Sequence, residues 1–583
     1  MDPRQRKVVQ VTVLVVLLSW AGSLWFPDFR EAPAALPDAT LQFDAERAYQ
    51  FMREFVTRFP RRVIDTFEAR QSTGYIQQYL ARLGYTISYM HFKALVASRT
   101  KVGRNVLAFK EGQSKQILAA VAHYDTAGTT VQGAMDNGSG VGVLLEMARI
   151  FANSPPRHSL LFVFSDGAEW GSLGALDLAQ NYSERKSLAA VISLDYVAAG
   201  DLGALRLDTA GQMRGYTPPW LREVCRAALQ ESGLPVLEPH GLREHLDRTM
   251  SISWTDQGPF LNAGIPAANI GSNSRDAGME KTIVHSAEDL VGHMQPSSFV
   301  SYGRAAERAL RTLDEMTLPG AGSMGPFRLK DSAYLSSGLV TLLHFLTFLP
   351  FFAILCVDFS KYGKRLEPAR IRWEVIEYLW ILLPLAGACV SIFAFRRLRL
   401  LPRYTLYAGT LRDPVLESPR WGILYGILGT GIVLGLTACF IRRFLKQKMP
   451  QPEFQAAKCV LMAALFAVIV IALLYNSYWA VTFLALPAWL WAAVGAGQNA
   501  GRRASNRVWI LAGGLFFYLV TAHYAGELGL GWKILWYQIL AISTGLFSIE
   551  GVLLGVATIC VGARFVAIQS YRGRPDVPRQ EVS

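Results

Sequence analysis

Ala122-His123-Tyr124-Asp125-Thr126 closes an apolar, strand-like run, and Ala134-Met135-Asp136-Asn137-Gly138-Ser139-Gly140 follows it in a Gly-rich turn. A His and an Asp at the ends of buried runs, with a second Asp among small residues, present hard nitrogen and oxygen donors to divalent ions. Working outward, Asp166-Gly167-Ala168-Glu169-Trp170-Gly171, Ser193-Leu194-Asp195 and Val284-His285-Ser286-Ala287-Glu288-Asp289 repeat the pattern. Singly, each has a bland reading. A lone His is usually structural, Asp136 sits in an Asp-Asn-Gly turn, Glu169 suits a helix start, and Asp195 simply ends a strand. Taken in order, His123, Asp136, Glu169, Asp195 and His285 predict a metal site. Asp125, two residues after His123, is spaced to orient that imidazole so its free nitrogen faces metal.

The surrounding periodicity predicts the fold. Phe43 to Phe59 and Thr73 to Leu83 carry apolar residues at helical spacing. Asn105–Phe109, Ile117–Ala122, Leu160–Ser165, Val191–Leu194 and Pro266–Ile270 read as strands, with helices at Val141–Phe151 and Pro219–Glu231. Strands alternating with helices imply an α/β domain, helices covering both faces of a mostly parallel sheet. His123, Asp166 to Glu169 and Asp195 then fall at strand C-termini, where such folds collect ligands.

Of the 583 residues, 51% are hydrophobic, and the excess is uneven. Residues 27–330 read as a soluble domain. From about 334 onward, long apolar runs alternate with short basic loops, each run long enough for a spanning helix. The net charge of +13 lies largely in those loops and is no nucleic-acid signature. Residues 1–26 read as an uncleaved transmembrane anchor in preference to a signal peptide, because Trp20, Trp25 and Phe26 make a poor cleavage region. Further spans are expected near 334–357, 375–395, 421–441, 457–476, 478–497, 508–525 and 535–562. Residues 331–568 thus form a polytopic helical membrane domain, and 569–583 a cytoplasmic tail. Basic groups at 361–372, 442–448, 502–507 and 564–574 agree with about eight spans, both termini cytoplasmic and the soluble domain periplasmic or lumenal. The loop at Arg396, Arg397, Arg399 and Arg403 runs against that pattern. His344 and Glu550 lie within apolar runs, Glu550 near the middle of one. Of six cysteines, only Cys225 lies in the soluble region, so no disulfide framework or Cys zinc site arises there. An Arg-, Trp- and Gly-rich composition points to a bacterial inner membrane. The sequence sets no oligomeric state.

These motifs, with Gly133-Ala134-Met135-Asp136-Asn137-Gly138-Ser139-Gly140-Val141 and Gly264-Ile265-Pro266-Ala267, resemble the co-catalytic zinc peptidases of family M28 over roughly residues 45–315. That family includes leucyl-type aminopeptidases, glutamate carboxypeptidase and glutaminyl cyclases. The layout as a whole is similar to the membrane-bound branch, with endoplasmic-reticulum and vacuolar membrane proteases. The resemblance implies a three-layer α/β/α domain with a mixed, mostly parallel sheet. It also implies two Zn2+ ions, Asp136 bridging them, with His123 and Asp195 completing one site and Glu169 and His285 the other. The expected partners are a peptide or protein substrate and the lipid bilayer, with no nucleic acid.

Two positions depart from the family pattern. The family places adjacent glutamates where this chain has Ala168-Glu169, and the first of them is the general base. An alanine moves no proton, so weak or no peptidase activity is expected. A substitution made to trap substrate, a natural pseudoenzyme, and a takeover by another carboxylate such as Asp166 all remain open at this point. The second departure is Gln257 after Asp256, where the family often has His; both residues are expected in the substrate pocket. Three functions compete: an aminopeptidase-type metallopeptidase, a non-catalytic zinc-dependent peptide receptor or scaffold, and an acyl transfer such as glutaminyl cyclisation, which needs the same base. The spans show no internal repeat, which weighs against a transporter.

Overall fold

The computed structural model describes residues 3–26, 29–30, 36, 40–96, 99–153, 155–212, 214–319, 325–363, 366–398, 400–401, 419–445, 453–496, 499–527, 530–544 and 547–570. An N-terminal helix, α1 (Pro3–Trp25), leads through a short strand, β1 (Phe29–Arg30), into an α/β domain. Its eight-stranded sheet comprises β2 (Thr86–Val96), β3 (Arg99–Lys110), β4 (Ser114–His123), β5 (His158–Ser165), β6 (Leu188–Leu194), β7 (Leu202–Asp208), β8 (Val236–Leu237) and β9 (Ala267–Ser274), in the order β2-β3-β5-β4-β6-β9-β7-β8. The centre, β5-β4-β6-β9, is parallel. The flanks pair antiparallel through β2-β3, β3-β5 and β7-β9.

Alternation along the central strands sorts side chains onto two faces. On β4, Leu118, Ala120 and Ala122 face one core, with α2 (Ala45–Arg58), α4 (Gly140–Ala152), α6 (Pro219–Gln230) and α10 (Pro296–Glu315). Ile117, Ala119 and Val121 face the other, with α5 (Leu173–Asn181) and α8 (Gln257–Asn262). Burial on both faces explains why β4 and β5 read as continuous apolar runs. The result is the three-layer α/β/α arrangement. Every strand and helix expected from periodicity in the soluble domain is present within a few residues, Thr73–Leu83 as part of α3 (Phe67–Arg82). The additional elements β2, β7, β8, α7 (Gly241–Met250) and α9 (Ala277–Ile283) carry weaker patterns.

The chain enters and leaves this domain at one place. β1 pairs antiparallel with β11 (Ala333–Leu335), which also pairs with β10 (Phe327–Lys330). Among the described residues, five helices are long and apolar enough to cross a membrane, α1 and four beyond β11, or up to seven if each of two bent pairs beyond β11 is one span. The expected run at 334–357 is such a pair, α11 (Ser337–Thr347) and α12 (Leu349–Tyr362), bent by 42°; Pro350 lies in the first turn of α12. The run at 508–525 belongs to a second, Ala500–Gly513 with Leu515–Gly526, bent by 45°.

The expected span at 535–562 needs correction: helix Ile534–Thr544 ends, and a new one begins at Ile549 with Ser548 capping Gly551 N. Glu550 therefore sits exposed in a first turn, not at mid-span. His344 is buried at a junction, its Nδ1 2.8 Å from Ser477 Oγ and its ring 4.7 Å from that of Tyr478. Arg399 and Arg403 of the discordant basic loop, and the tail at 571–583, lie outside the described residues.

Candidate metal centre

Three loops at the C-terminal edge of the parallel strands carry the expected ligands, and a fourth follows α9. His123 ends β4, Glu169 lies in the turn after β5, Asp195 follows β6, and His285 follows α9. Asp136 lies in the irregular turn 134–139, with φ −116° and ψ 100°, and its peptide bond to Asn137 is cis. Gly133 starts that turn at φ +60°, and a Cβ there would meet Thr126 Cγ2 at 2.4 Å, so only glycine serves.

The five residues converge. Asp136 Oδ1 lies 3.2 Å from His123 Nε2, while Asp136 Oδ2 lies 2.9 Å from His285 Nε2. His285 Nε2 is 3.0 Å from Glu169 Oε2, and Asp195 Oδ1 is 3.7 Å from His123 Nε2. His285 holds a left-handed backbone, φ +52°, the kind of strained non-glycine conformation that concentrates at functional sites. Burial opposes ionisation of Asp136, but hydrogen bonds from His123 and His285 hold its carboxyl well below the usual range.

The donor chemistry fits divalent metal. Three carboxylates and two imidazoles meet in a buried space, with Arg206 Nη2 3.6 Å from Asp195 Oδ2. Buried Glu169 Oε1 has no protein partner. Carboxylates gathered out of water without a compensating cation are costly.

Supporting residues fix the ligands. Asp125 does two things: its Oδ1 lies 3.4 Å from His123 Nδ1, and its two oxygens accept Ala168 N at 3.0 Å and Glu169 N at 3.2 Å. Asp289, in the quoted His285 motif but without an expected role, accepts Met135 N at 2.6 Å and Asp136 N at 3.0 Å. Burial pushes the Asp289 carboxyl up to about 7. Tyr302 on α10 donates to the Asp195 carbonyl. Buried Arg62 donates to the carbonyls of Tyr124, Phe59, Gln132 and Gly133. Nothing in Pro60-Arg61-Arg62 distinguishes that arginine from a surface charge; long-range carbonyl geometry defines its role.

Ala168 lines the cavity beside the cluster, as do Asp256 and Gln257. Asp256 accepts Ser165 Oγ at 2.5 Å, and Gln257 is bonded to Ala210 O, Ser253 Oγ and Thr255 Oγ1. Asp166, the alternative carboxylate, accepts Arg104 N at 2.9 Å and does not line the cavity. Burial, then the charge of Asp125, pushes it up to about 8.

An α/β domain with carboxylates and imidazoles gathered at its strand ends has the makings of a metallohydrolase. Residues 105–310 match the sequence profile of Peptidase family M28. The Alkaline phosphatase isozyme conversion protein of Escherichia coli is 32% identical over 173 residues, 26% of this chain and 50% of that one. Aminopeptidase YwaD of Bacillus subtilis is 26% identical over 34% of this chain and 42% of its own. The Vacuolar membrane protease of Kluyveromyces lactis is 36% identical over 17% of this chain and 11% of its own. The chain thus spans half or less of the length of these relatives. Among solved structures, BSAP, a zinc aminopeptidase from Bacillus subtilis, aligns with a TM-score of 0.40 at 16% identity, covering 51% of this chain and 100% of that one. A Porphyromonas gingivalis glutaminyl cyclase aligns with a TM-score of 0.40 at 23% identity, covering 46% and 98%.

Proposed function

We propose that the protein is a membrane-anchored zinc peptidase whose soluble domain holds two zinc ions and acts at the N-terminal end of peptide or protein substrates. The observation that carries this reading is the Asp136 carboxylate, one oxygen toward His123 and the other toward His285. Asp136, His123, Asp195, Glu169 and His285 would hold the ions. Bound zinc supplies Lewis acidity, lowering the pKa of water and polarising the scissile carbonyl.

The chain's own residues orient and fix this centre. Asp125 holds both the His123 ring and the backbone at 168–169, and Asp289 holds the turn that presents Asp136. Hydrolysis also needs a proton carried from the attacking water to the departing amine as the C–N bond breaks. At position 168 the cavity wall offers a methyl group. Asp166 is no substitute, being buried away from the cavity and favoured in its protonated form. Cleavage by this chain is therefore slow. Glutamate in Ala168→Glu should raise the aminopeptidase rate by about 10²–10⁴-fold, with about two zinc ions per chain in both proteins. Zinc near zero in the purified protein would sink the reading.

Ala168 also favours a second reading, a non-catalytic, zinc-dependent peptide receptor or scaffold. Peptide binding without turnover, unchanged in Ala168→Glu, would identify it. The domain's side of the membrane is the periplasm or a lumen, with both termini in the cytoplasm and a bacterial inner membrane as the setting. Ion pairs that gather basic helix ends at one end of the bundle support that topology: Arg370 with Glu453, Arg442 with Glu377, and Arg564 with Glu374.

A further inference from the structure

The cavity at the metal cluster does not end within the soluble domain. Its volume is about 1720 Å³, and one continuous wall runs from His123, Asp136, Glu169 and His285 past α7 to the membrane helices. Typical small-ligand sites occupy roughly 300–1,000 Å³, so this space suits an extended ligand. The far wall is largely apolar, with Phe517, Val520, Ile542, Val556 and Ile559, and carries Thr521, Gln538 and Glu550 among them. On the Ile549–Ala567 helix the lining residues Gly551, Gly555 and Ile559 recur at four-residue spacing, one stripe of a helix. From Gly551 to Ile559 that stripe descends about 12 Å along the helix axis. Ile559 lines the cavity yet is 53% exposed, on a helix long and apolar enough to cross a membrane.

We infer that the substrates are polypeptides with an apolar segment. The N-terminal residues reach the metal cluster while the apolar segment lies against the membrane helices, entering from the bilayer side. The inference deepens the peptidase reading and rests on it. Continuity selects a polypeptide as occupant: one chain can fill both the polar and the apolar end of the chamber, whereas a lipid tail matches only the latter.

Binding tests this without requiring turnover. The full chain in lipid nanodiscs with zinc is titrated with a short peptide bearing a free N-terminus. It is then titrated with the same peptide extended by an apolar segment of about twelve Leu and Ala residues. The extended peptide should bind about tenfold tighter or more, since each buried apolar side chain adds affinity. Gly555→Leu should abolish that ratio. A Cβ at Gly555 meets only Phe517 Cε1 at 4.0 Å, so the larger side chain fills the chamber without forcing the backbone apart. Leu553→Phe, on the outward side of the same helix and 48% exposed, should keep the ratio. Equal binding of both peptides, or a ratio unaffected by Gly555→Leu, overturns the inference, as does a lipid tail in the chamber that the extended peptide fails to displace. Binding that responds to Gly555→Leu but not to zinc removal overturns the peptidase reading instead.

Discussion

Arg62 shows how much of the centre hangs on one buried side chain. Its guanidinium gathers four carbonyls from the segments before and after His123 and from the turn leading into Asp136, and it stacks 4.8 Å from the Phe55 ring. Burial lowers its pKa to about 10, against the raising influence of Asp289, Asp125 and Asp136; the group stays charged at neutral pH. Arg62→Met keeps the aliphatic bulk but strands those carbonyls, and each buried acceptor left alone costs about 1–3 kcal/mol. The variant should unfold at lower temperature and bind zinc more weakly. Calorimetry beside a competitive zinc titration checks both, and unchanged zinc affinity would refute the role. The five candidate ligands were legible in the sequence, because of their places at the ends of apolar runs and in Gly-rich turns. Arg62 and Tyr302 were not, because what they hold is distant in the chain.

At the scale of elements, α7 joins the two halves of the molecule. On one side its Arg248 and Glu244 enter a buried ion-pair group with Arg222 of α6, and Glu244 also accepts Arg328 N of β10. On the other, Thr482 Oγ1 of the Ser477–Ala493 helix lies 2.8 Å from His245 Nε2 and 3.0 Å from Thr249 Oγ1, and Asn476 donates to Arg248 O. Burial, then the charge of Arg248, lowers the His245 pKa to about 4 from 6.5. The undocked state therefore takes up a proton at higher pH than the docked one. The contribution of this contact is complete above about pH 6.5 and is lost as pH falls from there toward 4. Hydrogen exchange across residues 241–250 should rise over that window, and His245→Gln should flatten the rise. An identical pH profile in that variant would contradict the assignment.

For the molecule as a whole, the bundle end far from the metal centre is held by buried charge. Arg564 pairs with Glu374 at 2.7 Å and Glu377 at 3.0 Å, Arg442 also reaches Glu377, and Lys458 lies 3.2 Å from Asp358. Removing Arg564 takes the cation from buried Glu374 and leaves Glu377 with Arg442 alone; breaking a buried pair costs about 3–5 kcal/mol. Arg564→Ala should lower the unfolding temperature of the nanodisc-embedded chain by several degrees. Adding Glu374→Gln and Glu377→Gln should restore part of it, because neutral amides tolerate burial better than lone carboxylates. If the triple variant is no more stable than Arg564→Ala, the pairing is not what holds that end.

The sequence by itself determined the alternating α/β domain and picked out the five candidate ligands. Local periodicity and strand-end placement encode these directly, since a strand buried on both faces must be apolar throughout and its ligands must lie where it ends. It also marked the long apolar runs. Tertiary structure alone decided where those runs break: within the 535–562 stretch one helix ends at Thr544 and another begins at Ile549, and composition is blind to that. Only the fold could place Glu550 at a helix start, enclose His344 beside Tyr478, turn Asp166 away from the cavity and leave Ala168 facing it, because side-chain direction depends on which strand and turn stand opposite. The same holds for the chamber. Its walls come from residues more than four hundred positions apart, and no local pattern records that the membrane helices and the metal cluster share one space.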